Sequence, residues 1–174
     1  MFAINRRDAG TPPVNGAPVT LSIDGTEVTV PSGTSIMRAA AVAGGAIPKL
    51  CATETLKAYG SCRVCLVEVE GQKGYPASCT TVVQHGMKVR TQSDKLQQLR
   101  KGVVELYVSD HPLNCQGCPA DSHCELQSVA ADLGVTTSPY GFEGANHFAA
   151  NVDASNPYFR FDPTLCIACS RCVR

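Results

Sequence analysis

Ten cysteines among 174 residues fall into three groups with none left over. Cys51, Cys62, Cys65 and Cys79 are spaced C-x10-C-x2-C-x13-C; Cys115, Cys118 and Cys124 are spaced C-x2-C-x5-C; Cys166, Cys169 and Cys172 are spaced C-x2-C-x2-C. In a reducing compartment such groupings read as metal ligands or redox groups before they read as disulfides. The chain near its start points to that compartment. Arg6-Arg7 is followed by Asp8-Ala9-Gly10-Thr11-Pro12-Pro13, where a secretory or twin-arginine signal needs an apolar stretch. The longest uncharged apolar-looking run, Ala39 to Pro48, is too short and too glycine-rich to span a bilayer. A cytoplasmic location with no membrane segment is expected. Lys+Arg and Asp+Glu number 15 each, so no basic footprint argues for nucleic acid or an anionic membrane.

The spacings point to iron–sulfur chemistry. Four thiolates, three of them delivered from one long loop after a helix, suit a [2Fe–2S] cluster in a ferredoxin-type β-grasp domain. The plant-type pattern is C-x4-C-x2-C…C, and here the first gap is lengthened to ten. Gly60 and Ser61 stand where backbone must wrap closely around inorganic sulfide. The second group needs a fourth ligand. His111 is the nearest candidate in the run His111-Pro-Leu-Asn-Cys115-Gln-Gly-Cys118-Pro-Ala-Asp-Ser-His-Cys124. His123 competes, but is expected in solvent. A neutral imidazole in place of a thiolate makes a site less negative, and in Rieske centres that exchange raises the potential. The third group opens the bacterial run C-x2-C-x2-C-x3-C-P, three ligands for one [4Fe–4S] cluster. Its fourth ligand would lie outside the chain, which is expected to be a fragment of a longer polypeptide. Zinc held by the same thiolates is the alternative for groups one and two. Arg63 and Arg171, lying between ligand cysteines, either offset cluster charge or stand in solvent. His85 and His147 have no partner pattern. No G-x-G-x-x-G, P-loop or Ser/His/Asp arrangement is present, so no catalytic residue is assigned.

The scaffold reads as α+β. Residues 1–16 form a loose extension. Val19–Ile23 and Thr26–Val30 flank Asp24-Gly25, a hairpin signature. Thr34 or Ser35 caps a short Ala-rich helix that carries Ile36, Met37, Ala40 and Val42 and stops at Gly44-Gly45. Strands are expected at Leu66–Glu70 and Met87–Thr91, completing a β-grasp [2Fe–2S] domain over 17–92. From Ser93, a cap, a helix buries Leu96, Leu99, Val103, Leu106 and Tyr107 and ends before His111-Pro112. Ser122 with Glu125 reads as a capping box for a helix burying Leu126, Val129, Ala130 and Leu133, with Gly134 its stop. This gives a small helical domain over 93–150, then a strand at Tyr158–Phe161 and the start of a bacterial-type ferredoxin domain over 151–174.

The set resembles a known family. A [2Fe–2S] site, then Asp110-His111-Pro112-Leu113-Asn114-Cys115…Cys118…Cys124-Glu125-Leu126-Gln127, then a bacterial ferredoxin run, resembles a region shared by three groups. These are the large iron–sulfur subunit of respiratory complex I, the diaphorase subunit of hydrogenases, and the α subunit of NAD-dependent formate dehydrogenases. Lys49-Leu-Cys51-Ala-Thr-Glu-Thr-Leu-Lys-Ala-Tyr-Gly-Ser-Cys62-Arg-Val-Cys65 and Gly74-Tyr-Pro-Ala-Ser-Cys79 look most like the molybdenum- or tungsten-dependent formate dehydrogenase. The resemblance implies that Cys51, Cys62, Cys65 and Cys79 hold a [2Fe–2S] cluster. It implies that His111, Cys115, Cys118 and Cys124 hold a [4Fe–4S] cluster, and Cys166, Cys169 and Cys172 part of another. It implies a relay carrying electrons from formate oxidation at a molybdopterin guanine dinucleotide site, expected only beyond these residues, toward flavin/NAD-binding diaphorase subunits of a hetero-oligomer. The same relay in complex I or a hydrogenase is the near alternative. A zinc-stapled binding module and a disulfide scaffold are the distant ones.

Overall fold

The computed structural model describes residues 8–140 and 151–174. Its sheet is built on the expected hairpin. Strands β1 (Pro18–Ile23) and β2 (Thr26–Pro31) pair antiparallel with Ile23 opposite Thr26. Asp24 and Gly25 both take positive φ, 50° and 85°, the turn whose twist matches that of the strands. Alternation then sends Leu21, Ile23, Val28 and Val30 to the core, while the Thr20 and Thr29 hydroxyls meet across the outer face at 2.8 Å.

Helix α1 (Ile36–Val42) starts at Ser35, whose hydroxyl accepts the Arg38 N–H at 3.1 Å. It buries Ile36, Met37, Ala39 and Ala40. Val42 is 60% exposed, and Ala39 completes the buried face. Strands β3 (Glu68–Val69) and β4 (Lys88–Arg90) complete a mixed sheet of order β2-β1-β4-β3, with β1 parallel to β4. The strand expected over Leu66–Glu70 is thus only two residues long. Its first part leaves the sheet: Leu66 forms an isolated bridge with Ala77, and the Val67 N–H donates to the Pro76 carbonyl at 3.1 Å. That departure carries Cys65 toward Cys79.

Helix α2 (Asp94–Ser109) is capped by Ser93, whose hydroxyl accepts the Leu96 N–H and donates to Glu68 at 2.7 Å. Its buried line is Leu96, Arg100, Val104 and Val108. The expected face is therefore rotated: Leu99, Val103 and Tyr107 are half-buried flanks, and Leu106 is 59% exposed. Helix α3 (Glu125–Asp132) buries Leu126, Val129 and Ala130, with Leu133 buried just beyond, and Gly134 at φ 65° ends it. The capping box does not form. Ser122 sits in a turn at φ 67°, and the residue preceding α3 is Cys124, which makes no side-chain capping bond.

Two cores result. One lies between the sheet and α1 and includes Cys65 and Cys79. The other joins α2 and α3 to Leu50, Cys51, Cys62 and Val64. The strand expected at Tyr158–Phe161 is only a bridge between Asp153 and Phe161, and Tyr158 is exposed. The described part of the expected loose extension is tied down. Asp8 pairs with Lys49 at 3.4 Å, and Thr11 bonds Ser35 and Arg38. Residues 1–7 of that extension and His147 lie outside the described residues. Among the described residues no helix is long and apolar enough to cross a membrane.

Candidate functional site

Cys51, Cys62, Cys65 and Cys79 converge where the two cores meet, and all four are buried. The Cys51 thiol interacts with those of Cys62 and Cys79, and Cys65 with Cys79. These contacts split the proton affinities. The Cys62 and Cys79 thiols hold Cys51 down, and the Cys79 thiol brings Cys65 down to about 7 against burial. Cys62 is pushed up by Cys51, and Cys79 by Cys51 and Cys65. Backbone donors add to this: the Cys62 N–H points to Cys51, Val64 N–H to Cys62 and Cys79 N–H to Cys65. N–H groups aimed at sulfur stabilise negative charge there.

The loop that achieves this is tight. Gly60 takes φ 76°, and a Cβ there would lie 3.1 Å from the Thr80 methyl. Arg63, between Cys62 and Cys65, is left-handed at φ 58°. Its side chain is exposed, so it stands in solvent. Ser78 fastens the far side, donating from its hydroxyl to the Cys65 carbonyl at 2.8 Å. The Ser61 hydroxyl is buried with no partner oxygen or nitrogen. That hydroxyl instead acts on the Cys51 sulfur and lowers its thiol pKa, and four buried thiols ringed by N–H and O–H donors fit a negatively charged iron–sulfide group.

The second group lies on the turn between α2 and α3. Cys115 opens a single 3₁₀ turn, the Cys118 N–H donates to the Cys115 carbonyl at 3.0 Å, and Cys124 immediately precedes α3. These three cysteines are half-buried. Burial pushes the His111 imidazole down, against the pull of Asp110, and its Nδ1 is buried without a partner. A neutral imidazole with an open nitrogen is what metal ligation requires. His123 and His85 are exposed.

In the third group Cys169 is half-buried, while Cys166 and Cys172 are exposed. Ala168 and Ser170 are left-handed at φ 51° and 59°, coiling the run, and the Ala168 N–H donates to the Cys166 sulfur at 3.3 Å. Such turns present N–H groups to anions. Two arginines moor the run to the other groups. Arg171 donates to the Ala52 carbonyl at 3.0 Å and pairs with Glu125 at 2.6 Å. Arg174 donates to the carbonyls of Cys51 and Lys57, both at 2.6 Å. The third group therefore touches the residue after Cys51 on one side and the residue after Cys124 on the other. A cavity of about 550 Å³, lined by Cys62, Tyr107, Phe161, Cys166 and Ile167 among others, opens between it and the first group. The Tyr107 hydroxyl, pushed up to about 12 by burial and by Cys62, Cys51 and Cys169, stands at that junction.

All ten cysteines are free thiols. Among the described residues no three His, Cys, Asp or Glu side chains are grouped to hold a single metal ion. Sequence reasoning left Arg171 open and missed Arg174 and Arg100 altogether. Arg100 was legible in principle, since Leu96, Arg100, Val104 and Val108 recur at a four-residue step on one helical face.

Residues 16–94 match the 2Fe-2S iron–sulfur cluster binding domain, and residues 100–139 match the NADH-ubiquinone oxidoreductase-G iron–sulfur binding region. The chain is 44% identical over 158 residues to a subunit of the NADH-quinone oxidoreductase of Mycobacterium bovis, covering 90% of this chain and 19% of that protein. It is 40% identical over 156 residues to NADPH-Fe(3+) oxidoreductase subunit alpha of Geobacter sulfurreducens, covering 90% and 18%. It is 38% identical over 159 residues to NADP-reducing hydrogenase subunit HndD of Solidesulfovibrio fructosivorans, covering 88% and 27%. The chain thus spans about a fifth to a quarter of the length of these relatives. The crystal structure of an NAD+-reducing [NiFe]-hydrogenase in the H2-reduced state superposes with a TM-score of 0.80 at 33% identity, over 90% of this chain and 65% of that one. The chain carries [2Fe–2S] and [4Fe–4S] binding domains, and its relatives are oxidoreductase subunits.

Proposed function

We propose that this chain is a three-cluster electron-transfer segment of an NAD-linked oxidoreductase, with its clusters in the order first, third, second group. Cys51, Cys62, Cys65 and Cys79 hold a [2Fe–2S] cluster in a β-grasp domain over 17–92. His111, Cys115, Cys118 and Cys124 hold a [4Fe–4S] cluster in a helical domain over 93–150, and Cys166, Cys169 and Cys172 hold part of another in 151–174. The observation that carries the order is Arg171, which bonds the Ala52 carbonyl beside Cys51 and the Glu125 carboxylate beside Cys124. A group moored to both neighbours is the natural middle station. The clusters supply one-electron redox chemistry; the chain's own residues fix the ligands, aim N–H donors at sulfur and exclude water. On this reading no described residue has the role of general base or nucleophile.

Spin–lattice relaxation of the reduced [2Fe–2S] signal tests the order. In the holoprotein it quickens more when the third-group cluster is reduced than when the His-ligated one is. The reverse ranking overturns the order. His111→Cys tests the ligand: the cluster persists at a lower potential, because a thiolate adds negative charge. An equal or higher potential removes His111 from the set.

At the finer level the segment is proposed to belong to a cytoplasmic formate dehydrogenase α subunit. It would pass electrons from a molybdopterin guanine dinucleotide site outside these residues to flavin/NAD+ subunits of a hetero-oligomer. The loop from Lys49 to Cys65 supports this reading. Membership of a complex I or hydrogenase assembly is the second reading, favoured by the names of the relatives. Holoenzyme whose clusters bleach with formate and pass electrons to NAD+ supports the first. Clusters reduced by NADH or H2 but not by formate support the second.

A further inference from the structure

We propose that Arg100, a buried guanidinium on α2, is a positioning residue that sets the reduction potential of the [2Fe–2S] site from behind Cys65. The proposal rests on the assignment of that site to Cys51, Cys62, Cys65 and Cys79.

Arg100 is 2% exposed, yet its charge is permanent. It donates from one terminal nitrogen to the Leu66 carbonyl at 2.5 Å and to the Thr91 carbonyl at 2.9 Å, while its Nε is buried and unpartnered. Leu66 directly follows Cys65. Among the described residues no carboxylate forms an ion pair with Arg100. Asp24 is near enough to be felt, but its carboxylate is engaged by the Thr91 N–H and hydroxyl, at 2.7 and 2.5 Å. Burial lowers the affinity of Arg100 for its proton, and the Cys65 and Asp24 charges oppose that loss.

A buried cation is costly unless something negative answers it. Two carbonyl dipoles answer it in part. The remaining candidate is the cluster itself, whose four thiolates outweigh the charge of two ferric ions and two sulfides. Reduction places one further electron on the cluster, drawn from a neighbouring iron–sulfur centre or flavin that is oxidised by one electron; no bond is made or broken and no proton moves. A fixed positive charge beside Cys65 favours that reduced state, so it raises the potential. Arg63 is a natural comparison. It sits between two ligands in sequence, but its side chain is in solvent, where water and salt screen it. The distant residue, not the adjacent one, has the unscreened field.

EPR-monitored redox titration of the holoprotein tests this with Arg100→Gln, Arg100→Lys and Arg63→Gln, alongside iron and sulfide content. Arg100→Gln is expected to move the [2Fe–2S] potential downward by several times the shift of Arg63→Gln, while Arg100→Lys stays near the parent. A shift in Arg100→Gln no larger than in Arg63→Gln overturns the proposal, as does a shift in Arg100→Lys equal to that in Arg100→Gln. If Arg100→Gln loses its iron, retention in Arg100→Lys supports a requirement for charge, and loss in both overturns it in favour of a bracing role. Cys65→Ser separates the underlying assignment: an unaltered [2Fe–2S] signal and potential in that variant removes Cys65 from the site, whatever Arg100 does.

Discussion

The first cysteine group and the other two are built on different principles. Cys51, Cys62, Cys65 and Cys79 are each at most 2% exposed and are members of the two hydrophobic cores. Folding the sheet, α1 and α2 therefore assembles the site. Cys115, Cys118 and Cys124 sit half-exposed on a connection whose only regular structure is a three-residue turn, and Cys166 and Cys172 are exposed on a coiled run. Apolar packing reaches them only through Cys124, Ile167 and Cys169, which are partly buried against the α2–α3 core. There the proposed ligands must be organised by what they bind, because ligation free energy is folding free energy where no preformed core exists.

The largest expected effect separates the two principles. Stripping iron with a chelator under reducing conditions should cost the backbone amides of 111–124 and 166–174 about a hundred-fold or more in exchange protection, while β1, β2 and β4 lose less than about ten-fold. Cys118→Ser should reproduce the loss in 111–124 alone, with the iron of one [4Fe–4S] cluster gone. Equal loss in the sheet would erase the distinction. Next in size, Leu21→Ala, which opens the sheet core, should cost about 2–5 kcal/mol in denaturant unfolding and release the [2Fe–2S] cluster at lower denaturant. An unchanged midpoint for cluster release would show that the core does not hold the first site. Ser93→Ala should cost about 1 kcal/mol, since it removes both the α2 cap and the bond to Glu68 that ties α2 to β3. Calorimetry of the holoprotein reads it.

The smallest effect concerns the strap from residue 8 to residue 11. Burial pushes the Asp8 carboxyl up, but the Gly10 N–H, the Lys49 ammonium, the Glu54 N–H and the Thr53 hydroxyl outweigh it and hold the group below its ordinary 3.8. The contribution of Asp8 is therefore fully present above about 3.8 and is lost as pH falls through its lower folded value. Asp8→Asn should flatten the acid limb of the stability curve slightly and leave the neutral region nearly parallel. Steeper acid loss in the variant would reverse the sign.

What the sequence carries well is local chemistry with one dominant cause. Asp24-Gly25 dictates the β1–β2 turn because few pairs accept two positive φ angles, and Ser93 dictates the start of α2 because its hydroxyl meets an otherwise unpaired N–H. What it carries poorly is anything settled by the sites themselves. Ser122 and Glu125 have the spacing of a capping box, yet Ser122 is left-handed in the turn between Cys118 and Cys124, and α3 begins at Glu125. Leu66 and Val67 have strand composition, but they bend away to bring Cys65 beside Cys79. The rotation of α2 has the same origin. Taking apolar identity as the mark of burial favours Leu99 and Leu106, whereas the helix turns a charged residue inward, toward Cys65. In each case the local rule fails beside a cysteine of the first or second group.

Iron, acid-labile sulfide and anaerobic EPR on one preparation of the holoprotein address the central claim together. Iron–sulfur ligation by these cysteines requires a brown protein, bleached by dithionite, giving one [2Fe–2S] signal and a [4Fe–4S] signal that disappears in Cys118→Ser. A colourless protein carrying stoichiometric zinc and no sulfide would contradict it.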